Sequence, residues 1–171
     1  MTIKRISLVL MVVICALFNT NNAEAQMQAA KPIAPKVIKG VSLNASASDV
    51  WAVLSDPQKY HEYVLNISNF ECNGTEEGAK MSFSIPNDKI RQQQMSSVKK
   101  QEYQIAFFIT KSEYHHQPWV FRLLIGADED KSFVQFEGIF SIDDKKKSDE
   151  MKALVEKEWL LMKQGLEKKF N

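Results

Sequence analysis

A cluster of side chains that can exchange protons lies in one predicted turn of the chain. Tyr114, His115 and His116 directly precede Gln117, Pro118 and Trp119. Histidine titrates near neutral pH, so such a cluster could supply a general acid, a general base or a metal ligand. Adjacent histidines in a polar turn are usually solvated, however, and a zinc site needs a closed set of ligands. We therefore predict no metal site, and the three side chains are candidates for acid–base catalysis alone.

Arg122 is the fourth catalytic candidate, because a guanidinium can anchor a carboxylate or polarise a carbonyl group. It lies in PWVFRLLIG, which the polar turn ADEDK separates from SFVQFEGIFSID. We predict antiparallel pairing of these two segments, with Ile125 opposite Val134. The same register sets Arg122 opposite Glu137, so an ion pair between strands is the favoured interpretation of Arg122.

The elements that must position these residues follow from hydrophobic periodicity. Residues 37–43 alternate as a strand does, and residues 65–142 read as six further strands with polar turns. Between them, Ser46 and Asp56 each precede a short helical pattern and are predicted to cap it. Residues 147–170 carry apolar side chains at helical spacing, which predicts one long amphipathic helix.

This order of elements resembles the START-like helix-grip superfamily (SRPBCC), which includes polyketide cyclases/dehydratases. The segment that carries the resemblance is ASASDVWAVLSDPQKYHEYV, with Asp49-Val50-Trp51 and Leu54-Ser55-Asp56. The likeness extends over roughly residues 37–170. It implies an α+β fold in which a curved antiparallel sheet of about seven strands surrounds a long C-terminal helix, with two short helices after the first strand. It also implies a cavity between sheet and helix that accepts apolar molecules.

Apolar side chains of the strands and of the terminal helix would form the walls of such a cavity. The residues predicted to contact a ligand are Phe83, Phe107, Trp119, Phe121, Phe136, Phe140, Trp159 and Met162. The same alternation would also fill a core, because it predicts burial and not an open volume. Three functions stay open. The favoured one is a binder or carrier of a lipid-like or aromatic molecule; the others are a cyclase- or dehydratase-like enzyme and a cavity-free domain that docks a partner protein.

The first 25 residues have the layout of a secretory signal peptide. Lys4 and Arg5 precede an apolar run over residues 6–18, and a polar stretch then ends in Ala23-Glu24-Ala25. The run is too short to span a bilayer, so we expect no stable membrane anchor. The pattern predicts an exported protein, periplasmic or secreted.

Beyond this segment, residues 26–36 lack periodicity and are predicted to form a flexible lead-in, and residues 37–171 the ligand-binding domain. Losing Lys4, Arg5 and Glu24 from 22 basic and 21 acidic residues leaves 20 of each. Such a balance argues against nucleic acid as a partner. The chain has no Gly-rich phosphate loop and no Cys-x-x-Cys, so no cofactor is expected. The oligomeric state and the identity of the ligand stay open.

Overall fold

The computed structural model describes residues 33–86, 88–113 and 117–171. The predicted signal peptide, most of the predicted lead-in and the candidates Tyr114, His115 and His116 lie outside the described residues.

Seven strands in the described part of the chain form one antiparallel sheet of order β1-β7-β6-β5-β4-β3-β2. The strands are β1 (Val37–Leu43), β2 (Ser68–Asn73), β3 (Lys80–Ile85), β4 (Asp88–Lys99), β5 (Gln104–Lys111), β6 (Trp119–Asp128) and β7 (Lys131–Ile139). The helices are α1 (Ala47–Leu54), a 3₁₀ helix (Pro57–Lys59), α2 (Tyr60–Tyr63), a second 3₁₀ helix (Lys100–Glu102) and α3 (Lys145–Phe170). The predicted α+β class and helix-grip order are confirmed.

The core lies between the inner face of the sheet and α3. Along β6, the side chains of Trp119, Phe121, Leu123 and Ile125 are buried, while the residues between them are partly exposed. α3 is 26 residues long and presents a buried stripe to this face. The stripe consists of Met151, Val155, Trp159, Met162, Gly165 and Leu166. The predicted amphipathic helix is thus the cover that the apolar face of the sheet requires.

Both predicted caps of the short helices are present. Ser46 Oγ accepts a hydrogen bond from the Asp49 amide at 3.2 Å and caps α1. Asp56 Oδ1 accepts one from the Gln58 amide at 3.0 Å. The second helix is shorter than its pattern suggested, because a 3₁₀ turn precedes a single turn of α-helix in α2. Short helices of this kind are marginal alone, so packing must hold them in place.

α2 and the residues that directly follow it pack on α3. An ideal Cβ at Gly165 would lie 2.4 Å from the Tyr63 carbonyl oxygen. The Leu65 amide donates to the Leu161 carbonyl at 3.2 Å. The missing side chain of Gly165 therefore lets the backbone after α2 approach the helix closely.

We expect Gly165→Ala to lower the free energy of unfolding by about 1–3 kcal/mol, because the new methyl group would overlap backbone atoms that cannot rotate away. In an unobstructed helix interior the same change stabilises by about 1 kcal/mol. The sign of the change in stability therefore shows whether the backbone approaches Gly165 closely. Gln164→Ala, at the exposed neighbouring position, is the matched control and should change stability little. Urea denaturation measures both variants, and a more stable Gly165→Ala protein would contradict the close approach.

Candidate functional site

The candidate site is a small cavity inside the fold, between the inner sheet face, α2 and α3. Its volume is about 10 Å³, which is room for roughly one water molecule. The lining residues are Tyr60, Val64, Phe83, Ile85, Arg91, Phe121, Phe136, Glu158, Leu161 and Met162. Pockets for drug-sized ligands measure roughly 300–1,000 Å³, so the interior is closed and nearly filled in this conformation.

All eight residues that were predicted to contact a ligand are buried in the core. Four of them, Phe83, Phe121, Phe136 and Met162, line the cavity. The structure therefore brings half of the predicted set to one place, and their contact with a ligand stays a prediction.

The other four predicted contacts do not line the cavity. Phe107 and Trp119 pack on Phe121, with ring centroids 4.8 and 5.9 Å apart. Trp159 packs on Phe136 at 5.4 Å. Phe140 belongs to the same buried core.

Arg91 is the charged residue at the centre of the site, and only 2% of its surface is exposed. It lies on the inner face of β4, where Arg91, Gln93 and Met95 are buried at alternate positions. Its Nε donates to Asp88 Oδ2 at 2.8 Å, and its Nη1 donates to Glu158 Oε2 at 3.0 Å. Nη2 also donates to Glu158 Oε1. The guanidinium therefore binds the Glu158 carboxylate with both terminal nitrogens, the two-pronged geometry that arginine favours.

Asp88 begins β4 and is fixed by hydrogen bonds from the segment that directly follows β5. Its carboxylate accepts from Ser112 Oγ at 2.6 Å and from the Glu113 amide at 2.9 Å, in addition to Arg91. Burial works to raise the pKa of Asp88, but these hydrogen bonds and the charge of Arg91 outweigh it and hold the pKa below its ordinary value. Asp88 is therefore ionised, and its pair with Arg91 is a fixed unit.

Glu158 reaches Arg91 from α3, so this contact joins the helix to the sheet. The Glu158 side chain keeps 19% of its exposure, against 2% for Asp88 and for Arg91. Burial raises the pKa of the Glu158 carboxyl, although Arg91 works in the opposite direction. A carboxyl group with a raised pKa that lines a cavity makes Glu158 a candidate functional residue.

Tyr60 closes the cavity from α2 and adds a polar group to it. Its ring lies 5.3 Å from that of Phe83 and 5.5 Å from that of Phe107. Burial raises the pKa of the Tyr60 hydroxyl, although a hydrogen bond with Gln93 partly opposes the shift. Gln93 is itself buried, and its Oε1 has no hydrogen-bond partner among the described residues. An unpaired buried acceptor is costly, so Gln93 requires a functional or structural explanation.

The sequence interpretation missed Arg91, Asp88 and Glu158 as site residues. Arg91 lies in RQQQMSSVK, a polar segment in which an arginine is expected to face solvent. One signal was available: Glu158 lies four residues from both Leu154 and Met162, which places it at the edge of the apolar stripe of α3. A carboxylate at such an edge needs a partner on the sheet.

Arg122 lies on the opposite face of the sheet from Phe121, and thus away from the cavity. The predicted register is confirmed, with Ile125 opposite Val134 and Arg122 opposite Glu137. The Arg122 Nε donates to Glu137 Oε2 at 2.7 Å. The favoured ion-pair interpretation of Arg122 therefore matches the geometry.

A larger groove of about 660 Å³ runs over β2, β3 and β4. Its charged lining residues, Glu71 and Lys80, are both exposed. It therefore lacks the buried charge that distinguishes the interior cavity. Within the described ranges, no group of three His, Cys, Asp or Glu side chains could hold a metal ion. None of the helices in those ranges is long and apolar enough to cross a membrane.

The pKa of Asp88 makes a prediction about acid stability. Its pKa is lower in the folded than in the unfolded protein, so its stabilising contribution is complete above the ordinary aspartate pKa of about 4 and is lost as the pH falls through the folded value. Asp88→Asn should therefore be less stable than wild type at neutral pH, with a difference that shrinks below about pH 4. Urea denaturation across this pH range measures it, and a difference independent of pH would contradict the assignment.

The fold of this chain also occurs in proteins of known structure. No protein-family model matches the chain, and a search of curated proteins finds no match. Solved structures do match. A START superfamily protein from Mycobacterium smegmatis is 16% identical, with a TM-score of 0.62, over 78% of this chain and 95% of that one.

Two enzymes have a similar structure. Norcoclaurine synthase from Thalictrum flavum is 13% identical, with a TM-score of 0.58, over 77% of this chain and 91% of the enzyme. An aromatase/cyclase from a Streptomyces species is 12% identical, with a TM-score of 0.57, over 76% of this chain and 89% of the enzyme. At these identities the likeness shows the fold: the chain has the helix-grip fold of START-like (SRPBCC) proteins, as the sequence resemblance predicted. That fold is consistent with a ligand-binding cavity.

Proposed function

We propose that this protein binds a hydrophobic small molecule, lipid-like or aromatic, between the sheet and α3, and that it acts after export to the periplasm or the cell exterior. The observation that carries the binding proposal is the pair formed by the buried Arg91 and the partly buried Glu158, which lines an otherwise mostly apolar cavity. Ligand sites typically combine apolar walls with a few polar groups that fix orientation. The export proposal rests on the signal-peptide layout of residues 1–25.

Binding requires the cavity to expand, because a volume of about 10 Å³ holds no organic ligand. The α2 side of the cavity wall has the least regular secondary structure, since α2 has four residues. It is held to α3 by the Leu65–Leu161 hydrogen bond and by an exposed ion pair between Glu62 and Lys169 at 2.7 Å. A segment of four residues can open locally when the buried rings of Tyr60 and Tyr63 move with it. The entry route in this proposal therefore runs between α2 and α3.

The proteins of similar structure support a small-molecule role without fixing the ligand. One structure of norcoclaurine synthase holds a transition-state analogue, and another holds dopamine and hydroxybenzaldehyde. The same fold thus admits small aromatic molecules in a distant protein. Because one fold hosts many functions, the residues of the cavity must decide the ligand of this chain.

Native mass spectrometry of the protein purified from its own host tests the proposal. We expect a stoichiometric small-molecule adduct that organic solvent releases. Protein that is repeatedly free of ligand and also fails to bind fluorescent fatty acids would contradict the proposal and favour the cavity-free docking domain.

A second candidate function is acid–base catalysis on the bound molecule. The observation in its favour is the raised pKa of Glu158 beside Tyr60 and Arg91, all of which line the cavity. If this candidate is correct, the molecule released from wild type will be a chemically altered form of the one released from Glu158→Gln. Identical molecules from both proteins would contradict catalysis and leave binding as the function.

A further inference from the structure

We infer that the ligand carries a hydroxyl group, which donates a hydrogen bond to Gln93 Oε1 in the bound protein. This inference rests on the proposed function and specifies the class of ligand: a phenol or an alcohol with an apolar body.

Gln93 is a polar side chain in an apolar part of the core. It lies on the inner face of β4 and is 1% exposed. The residues paired with it on the two neighbouring strands, Met81 and Ile109, are both buried. Gln93 Nε2 lies 4.0 Å from Met81 Sδ, which is a weak acceptor. A methionine would fill a similar volume without a polar group, so packing alone does not account for a glutamine at this position.

The atom of Gln93 that lacks a partner is its acceptor. The side chain shares a hydrogen bond with the Tyr60 hydroxyl, whereas Oε1 has no hydrogen-bond partner among the described residues. The bond to Tyr60 is therefore donated by Nε2. A buried acceptor without a donor is destabilising, and a ligand that supplies the donor removes this cost on binding.

Gln93 lies beside the cavity wall on the inner face of the sheet. Tyr60, to which it is bonded, lines the cavity. Arg91, two residues earlier on the same face of β4, lines it as well, and so does its paired residue Phe83. Met81 and Gln93 form the neighbouring pair on this face. Expansion of the cavity by one pair along β3 and β4 therefore reaches Gln93, and the adaptable side chain of Met81 favours expansion in this direction.

A hydroxyl group suits this position better than other donors. A cationic donor would lose its hydration among apolar side chains, which is costly. Burial holds the pKa of the Tyr60 hydroxyl above its ordinary value, so Tyr60 stays protonated and can itself donate. A ligand hydroxyl can donate to Gln93 Oε1 and also accept from Tyr60, whereas an amide N–H can only donate.

Isothermal titration of para-ethylphenol and of its methyl ether, para-ethylanisole, tests the inference. The two probes share an apolar body, and only the phenol can donate a hydrogen bond. The key variant is Gln93→Met, which removes the acceptor and keeps the side chain similar in length. We expect the ratio of phenol affinity to ether affinity to fall about tenfold from wild type to Gln93→Met, the effect of one hydrogen bond.

The matched control is Gln92→Met, because the neighbouring Gln92 is exposed on the other face of the same strand. It should leave the affinity ratio unchanged. A measurement on wild type applies if Gln93→Met does not fold. With isotope-labelled glutamine, the side-chain carbonyl resonance of Gln93 should shift saturably with para-ethylphenol and less with the ether, because a carbonyl that accepts a hydrogen bond is polarised.

Two results would overturn the inference and leave the proposed function intact. One is an unchanged affinity ratio in folded Gln93→Met, or equal carbonyl shifts with the two probes. The other is wild type that binds a fluorescent fatty acid but neither the phenol nor the ether. Wild type that binds none of the three probes would overturn both proposals.

Discussion

Arg91→Met is expected to lower the free energy of unfolding by about 3–5 kcal/mol. The substitution removes the guanidinium that contacts Asp88 and Glu158, and it leaves the Asp88 carboxylate in a position with 2% exposure. An ionised group in such a place loses its hydration without gaining a partner charge. Urea denaturation at neutral pH measures the loss.

Lys39→Met is the matched control, since Lys39 also lies on a strand and pairs with a glutamate, but both Lys39 and Glu156 are exposed, at 42% and 49%. It should cost no more than about 1 kcal/mol. The double variant Arg91→Met/Glu158→Met should recover part of the loss, because it removes one of the two stranded carboxylates. Equal losses for Arg91→Met and Lys39→Met would show that Arg91 is not a buried, paired charge.

Trp159→Ala is the second substitution with a large expected effect, a loss of about 3–5 kcal/mol. Trp159 is 3% exposed and packs on Phe136 at the centre of the α3 stripe. It does not line the small cavity, so its removal leaves a new gap that a well-packed core closes poorly. Chemical denaturation of wild type and variant gives the difference.

Leu160→Ala is its control, because the neighbouring Leu160 is 51% exposed on the solvent side of α3. Its loss should be small. A loss for Trp159→Ala of only about 1–2 kcal/mol, together with weaker binding of apolar probes, would mean that the ring bounds an expanded ligand cavity. No loss at all would contradict the placement of the helix face.

Those parts of the fold that follow from periodicity could be predicted from the sequence. The α3 stripe repeats every three to four residues, and the pairing of Ile125 with Val134 follows from a short polar turn between two alternating segments. The caps at Ser46 and Asp56 follow from local chemistry. Each of these features depends on residues that are near one another in the chain.

The site depends on residues that are distant in the chain, which is why the sequence did not reveal it. Arg91 and Glu158 are 67 positions apart, and neither segment alone indicates burial of a charge. The size of the cavity could not be predicted from the sequence either, because buried aromatic residues are required both for a filled core and for the wall of a pocket. Only the packing of α2 and α3 on the sheet distinguishes the two.

The most direct test of the central claim is an NMR titration that follows the indole N–H resonances of the tryptophans while dodecanoate is added. Trp159 packs on Phe136, which lines the cavity, whereas Trp51 packs on Tyr103 at a ring distance of 5.4 Å and does not line it. Binding between the sheet and α3 predicts a saturable shift of the Trp159 resonance at one ligand per protein, with the Trp51 resonance little changed. A Trp159 resonance that does not move at saturating probe, or a shift confined to Trp51, would contradict the claim.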